Sequence, residues 1–254
     1  CSPSAKIHSG DFEECRDADI IICAGGPSIL PDEKLDRLIL AERNIKVISE
    51  IMTNVTSYTR DAVFIMITNP LDVTTYLAAK KFDYAPGKLM GTGTTLETLR
   101  LKRIIANHYN VSAKDVQGFM LGEHGNSAFP AWSTISIGGV RLDDLDKYYD
   151  YTEPFNKEKI AKSVVNTAYD VLISKGWTNT GIAMGACYLA KSVLFNERCV
   201  TPVSVPLKGE YGLSDVSLSL PSIIGENGVE KRLAIKLPDS ELAALYNKIG
   251  RAHV

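Results

Sequence analysis

Three short apolar runs, each followed by a longer segment of helical spacing, constrain this chain more than any other feature. Asp19–Ala24 is a β-branched run that stops at Gly25-Gly26-Pro27, as a strand stops at a turn. From Glu33 to Tyr58 the apolar residues Leu38, Ile45, Ile48, Met52 and Val55 recur at spacings of three, four and seven, which predicts an amphipathic helix. Val63–Thr68 then runs apolar without alternation, the pattern of a strand covered by helices on both faces. Asn69-Pro70 ends it, Asp72–Lys81 reads as a helix, Leu89–Gly91 as a third strand and Thr94–Tyr109 as a third helix. Strand and helix in strict alternation predict βαβ units and a parallel sheet.

The texture changes after about Val116. Gly118–Leu121 and Ser133–Ile137 read as strands lying close together, and Asp143–Tyr151 as a surface loop. Helices are expected over Lys157–Ser174 and Ile182–Leu194, then strands at Val200–Val205, Asp215–Leu220 and Gly228–Arg232. Antiparallel strands beside helices predict an α+β unit, with the division between domains at residues 1–92 and 93–254.

Charge and composition exclude several functions. With 28 basic and 30 acidic residues the formal charge is −2, which argues against a nucleic-acid or anionic-membrane binder driven by net charge. No apolar run approaches the roughly 20 residues of a membrane span. The five cysteines include no Cys-x-x-Cys pair and lie near no histidine, so no zinc module is visible. An odd cysteine count with no secretory leader fits a reducing cytoplasm. The chain starts at Cys1 rather than Met, which implies a processed start or a fragment.

Few residues carry recognisable chemistry. Gly91-Thr92-Gly93 sits between a strand and a helix, where a dinucleotide fingerprint would lie, but Leu96 takes the third glycine position. A tight turn feeding a helix is the simpler reading. His124, in Gly122-Glu123-His124-Gly125, follows an apolar strand, and the flanking glycines let the backbone bend and present an imidazole suited to proton transfer. An idle loop histidine is the alternative. Glu97 and Arg100 share a helix face, as a surface ion pair or as a carboxylate beside an imidazole with a guanidinium fork for an acid. Arg37 alone reads as a solvated helix charge, and Asn69-Pro70 as a strand stop.

Together these segments are far more specific. Ala24-Gly25-Gly26, Asp36-Arg37, Thr68-Asn69-Pro70-Leu71-Asp72, Gly91-Thr92-Gly93, Leu96-Glu97-Thr98-Leu99-Arg100, Gly122-Glu123-His124-Gly125 and Lys175-Gly176-Trp177-Thr178 occur in order. The chain closely resembles the L-lactate and malate dehydrogenase family, including the L-2-hydroxyisocaproate dehydrogenases, from about Ile7 to Tyr246. The resemblance implies an α/β fold: the remaining half of a Rossmann-type parallel-sheet domain followed by an α+β substrate domain. It implies NAD as cofactor, a small 2-oxo or 2-hydroxy acid as substrate, and a homo-oligomer, dimer or tetramer. His124 would exchange a proton with the substrate oxygen and Glu97 would orient it. Arg100 would hold the carboxylate, Arg37 would polarise the carbonyl from a closing loop, and Thr178 would line the pocket. Asn69 and Thr68, with Gly25 and Gly26, would meet the cofactor.

The chain departs from the family in four places. The family's opening strand, Gly-x-Gly-x-x-Gly loop and acidic residue are not among these residues, so roughly two βαβ units of ~30 residues are expected before Cys1. Glu97 stands where the family usually has Asp. Lys102 and Gln117 occupy the places of the basic pair that binds fructose 1,6-bisphosphate in some bacterial relatives, which argues against that activation. Residues 250–254 end before the family's last helix would.

The closing loop speaks to substrate. Between Gly26 and Arg37 the only cation is Lys34, against Asp32, Glu33 and Asp36, with Ile29 and Leu30 in the same stretch. An unpaired second carboxylate there would cost several kcal/mol to bury, whereas an aliphatic side chain would not. A monocarboxylate is expected: lactate and pyruvate first, larger aliphatic acids such as 2-hydroxyisocaproate next. The alternatives are a malate dehydrogenase, or an inert fragment lacking the cofactor half-site.

Overall fold

The computed structural model describes residues 4–27 and 37–249. Strand β1 (Ile20–Cys23) pairs in parallel with β2 (Val63–Met66), and β2 with β3 (Leu89–Gly91). Helices α1 (Arg37–Thr56) and α2 (Leu71–Lys81) make the crossovers. The expected helix start at Glu33 lies outside the described residues. Strand β2 explains its own unalternating sequence. Val63 and Ile65 pack into one core, and Phe64 and Met66 into a second core with Ile48, Met52 and Val55 of α1.

Helix α3 (Thr95–His108) follows, then short strands β4 (Val116–Gln117), β5 (Met120–Leu121), β6 (Phe129–Pro130), β7 (Ser136–Ile137) and β8 (Val140–Arg141). Two long helices, α4 (Lys157–Lys175) and α5 (Thr180–Leu194), lead into the meander β9 (Cys199–Lys208), β10 (Ser214–Gly225) and β11 (Gly228–Arg232), and α6 (Asp239–Ile249) is the last element among the described residues. One six-stranded sheet, ordered β1-β2-β3-β9-β10-β11, runs through the whole molecule. Its parallel half meets its antiparallel half at a single pair, Gly91 opposite Ser204. A third core lies under α3, built on Leu101, Ile105, Val116, Ile137 and Val164.

The structure corrects two expectations. Ser133–Ile137 is a strand only over Ser136–Ile137, because Trp132–Thr134 coils into a 3-10 helix. The backbone N–H and hydroxyl of Ser133 both donate to the buried Glu241 of α6, and Thr134 Oγ1 donates to the Ala131 carbonyl, so side chains capture the groups a strand would pair. Asp143–Tyr151 is not simply a surface loop. Leu142–Lys147 is a 3-10 helix that buries Leu142 and Leu145, and Tyr109 donates to Asp146 at 2.7 Å.

Candidate functional site

Polar side chains pin the start of α3. Ser219 Oγ on β10 accepts the Thr94 N–H at 3.0 Å, and Thr94 Oγ1 donates to the Met120 carbonyl. Thr95 Oγ1 donates to the Pro202 carbonyl, and Thr98 Oγ1 accepts the Met120 N–H. The helix entrance is thereby tied to β9, β10 and β5. Gly93 makes the approach feasible: it has φ +52°, and a Cβ there would stand 2.5 Å from Ser204 N and from Ser219 Oγ. The Gly91-Thr92-Gly93 turn therefore packs closely against the sheet as it feeds α3.

Along α3 this fixes two functional groups. Glu97 is buried and points at His124, with Glu97 Oε1 2.8 Å from His124 Nδ1. The extra methylene relative to Asp does not prevent contact. At that distance the two groups form an ion pair. Arg100 is half-buried, and among the described residues no carboxylate closes a salt bridge on it. Burial pulls its proton affinity down and the charge of Glu97 pulls it up. A Cβ on Gly181, in the first turn of α5, would lie 3.9 Å from an Arg100 guanidinium nitrogen. Thr178, exposed, lies on the loop that leads into that same turn.

His124 sits in the bend after β5. Gly122 (φ +92°) and Gly125 (φ +116°) make the bend, and Gly122 exchanges both backbone hydrogen bonds with Ser219 of β10. The His124 N–H donates to Asp72 Oδ2 at 2.7 Å, and Asp72 Oδ1 accepts from Ser204 Oγ at 2.5 Å. Burial opposes a charged imidazole, but the charge and hydrogen bonding of Glu97, the charge of Asp72 and the Gly93 backbone outweigh it and push His124 up to about 9. For Glu97, burial pulls the other way, yet the imidazolium holds its carboxyl below the ordinary range. The imidazole thus holds its proton at neutral pH, with the Glu97 counter-charge in contact.

The carboxyl ends of β1 and β2 supply the neighbouring groups. Thr68 Oγ1 donates to the Gly25 carbonyl at 2.6 Å, and Asn44 Nδ2 donates to the Asn69 carbonyl at 2.5 Å. A Cβ on Gly25 would strike Ile51 and one on Gly26 would strike Asn44, so these glycines let α1 close on the strand end. Gly25, Gly26, Thr68 and Asn69 are thus brought together, with the Asn69 side chain exposed and Asn44 Oδ1 buried without a hydrogen-bond partner among the described residues. That set of amide donors and acceptors fits a nicotinamide carboxamide. The side chain of Arg37 and the stretch Ile29–Asp36 lie outside the described residues. A polar cleft of about 870 Å³ at the opposite end of the sheet, lined by Arg16, Arg60, Asp61 and Lys88 among others, holds none of these residues.

Sequence reasoning gave no role to Asp72, Ser204 or Ser219. Asp72 closes the Asn69-Pro70-Leu71-Asp72 segment, a signal in plain view. The two serines carry none, since their partners stand more than a hundred residues away.

The comparisons with known proteins agree with this geometry. Residues 2–91 match the family model of the lactate/malate dehydrogenase NAD binding domain, and residues 94–250 that of the alpha/beta C-terminal domain. An L-lactate dehydrogenase of Selenomonas ruminantium is 47% identical over 245 residues, 96% of this chain and 77% of the relative. L-lactate dehydrogenase 2 of Clostridium acetobutylicum is 46% identical over 244 residues, 96% of this chain and 76% of the relative. The ligand-bound crystal structure of the minor L-lactate dehydrogenase of Enterococcus mundtii superposes with a TM-score of 0.88 at 34% identity, covering 95% of this chain and 76% of that one. On two domain matches that span nearly its whole length, the chain belongs to the lactate/malate dehydrogenase family.

Proposed function

We propose that this protein interconverts an L-2-hydroxy monocarboxylic acid and its 2-oxo acid with NAD, lactate and pyruvate first and larger aliphatic acids such as 2-hydroxyisocaproate next. The observation that carries the reading is the buried Glu97–His124 ion pair beside an Arg100 that no described carboxylate neutralises. Bound as NADH, the cofactor supplies the hydride that a ketone carbon accepts. Asn69 and Thr68, at the strand ends beside Gly25 and Gly26, would hold its nicotinamide end. His124 gives its proton to the ketone oxygen, and the negative charge of Glu97 keeps the imidazolium loaded for that transfer. Arg100 grips the substrate carboxylate through two parallel hydrogen bonds. Thr178 lines the pocket, and Arg37, at the start of α1, polarises the carbonyl.

The preference for monocarboxylates rests on Ile29 and Leu30 and on Lys34 as the one cation between Gly26 and Arg37. The L-lactate dehydrogenase names of the relatives support it. We further propose the domain division at 92/93, assembly as a homodimer or homotetramer, and a cytoplasmic location; among the described residues no helix is long and apolar enough to cross a membrane. NADH oxidation by the protein with pyruvate, 2-oxoisocaproate and oxaloacetate tests the reading. Pyruvate or 2-oxoisocaproate should lead. Oxaloacetate clearly outrunning both makes this a malate dehydrogenase, and no turnover of any of them favours the inert fragment that lacks the cofactor half-site.

A further inference from the structure

Asp72 is a second carboxylate beside His124, and nothing in the scheme above uses it. It stands in the first turn of α2 at 4% exposure, in a site where a carboxylate is costly to keep ionised. Two donors address it. Ser204 Oγ, itself fully buried on β9, reaches Oδ1 at 2.5 Å, and the His124 backbone N–H reaches Oδ2 at 2.7 Å. Three segments far apart in sequence therefore converge on this one side chain. Packing alone would be served as well by an apolar residue of similar size, which would need neither donor.

We propose that Asp72 is a positioning residue for His124: its carboxylate fixes the backbone of the histidine bend and its charge holds the imidazole in the protonated state. The charged groups around the pair are few. The imidazole faces Glu97 of α3 and, through the backbone, the Gly93 carbonyl; Arg100 acts on Glu97 from one helical turn away. Asp72 faces Ser204 and His124, with the charge of Glu123 opposing its ionisation. Burial raises the Asp72 carboxyl to about 6, against the Ser204 hydrogen bond and the His124 charge that pull it down, so it is mostly ionised at neutral pH. Once the imidazole gives up its proton, Glu97 is left against a neutral ring and Asp72 against the backbone of the same residue, both buried. That arrangement drives reprotonation between turnovers.

The inference rests on the proposed acid–base role of His124, so its test does not use turnover. In the folded protein the His124 imidazole resonance, identified by its loss in His124→Gln, is followed by NMR against pH in wild type, Asp72→Asn and Ser204→Ala. Asp72→Asn keeps the shape and removes the charge, and should lower the proton affinity of His124 roughly tenfold. In wild type the same resonance should show a second, smaller inflection on the acid side as Asp72 takes its proton. Ser204→Ala removes a bond that favours the carboxylate and should move that inflection to higher pH. An unchanged His124 titration in Asp72→Asn overturns the proposal. Should that variant not fold, a Ser204→Ala titration with its acid-side inflection absent or unmoved overturns it equally. Inactivity of the wild type towards 2-oxo acids would remove the functional reading while leaving these titrations to decide the role of Asp72.

Discussion

Glu97 Oε1 and His124 Nδ1 stand 2.8 Å apart, one on a helix pinned to the sheet and the other on a two-glycine bend. The two charges are in contact, so removing one must be felt by the other. Glu97→Gln should leave an imidazole opposed by desolvation and supported only by Asp72 and the Gly93 backbone. Its proton affinity should fall towards the ordinary value, and kcat for reduction of a 2-oxo acid at neutral pH should drop by about 10²–10³-fold. Steady-state kinetics across pH check this. A variant with wild-type kcat and pH profile contradicts the pairing.

Stability should depend on pH through the same pair. His124 titrates near 6.5 when unfolded and is pushed up to about 9 when folded. The folded state thus binds the proton more tightly, and the gain is fully present below the unfolded value. It is lost as pH rises from about 6.5 through 9, and amounts to ~3 kcal/mol at most. Chemical denaturation across that window should show wild type losing stability relative to His124→Gln, whose curve lacks this component. Parallel curves would mean the pair is not ionised as described.

The turn before α3 should be intolerant of any side chain. At Gly93 a Cβ would meet Ser204 N and Ser219 Oγ at 2.5 Å and the Val203 carbonyl carbon at 2.9 Å, with φ at +52°. Two of those three atoms belong to the sheet backbone and cannot swing aside. Gly93→Ala should destabilise the fold by at least ~2 kcal/mol, and should cost activity by shifting Glu97 even in molecules that remain folded. Urea denaturation and kcat together test this, and a variant of unchanged stability would show that the strand pair gives way easily.

These residues also mark where the sequence was legible and where it was not. The unalternating run of β2 announced two covered faces, and Val63/Ile65 and Phe64/Met66 do divide between two cores. The spacing of Glu97 and Arg100 announced a shared face, and the absent third glycine announced a packing turn. The bend at Trp132–Thr134 was not legible, because Glu241 settles it from 108 residues away. Asp72 stands inside a recognisable motif, yet its role is not legible there for the same reason: its partner Ser204 is 132 residues distant, and a lone buried serine leaves no periodic trace. Local pattern predicts what local hydrogen bonds and burial decide. Polar contacts closed by the fold are visible only once it is closed.

Arg100 offers the sharpest test of substrate binding. It is half-buried on α3, its guanidinium faces the first turn of α5, and the nearest negative charge, Glu97, is engaged with His124. A planar fork suits a carboxylate through two parallel bonds, whereas a lysine presents a single compact charge. Arg100→Lys keeps the charge and loses one bond of the pair, which at a charged group amounts to ~1.5–3 kcal/mol. We therefore expect kcat/KM for pyruvate to fall by about 10–150-fold, mostly through KM, because His124 and Glu97 are untouched. Titration of His124 in this variant should follow wild type to within the small contribution Arg100 makes through Glu97. A loss carried wholly by kcat, with KM unchanged, would place Arg100 on the proton-transfer pair and away from the substrate carboxylate.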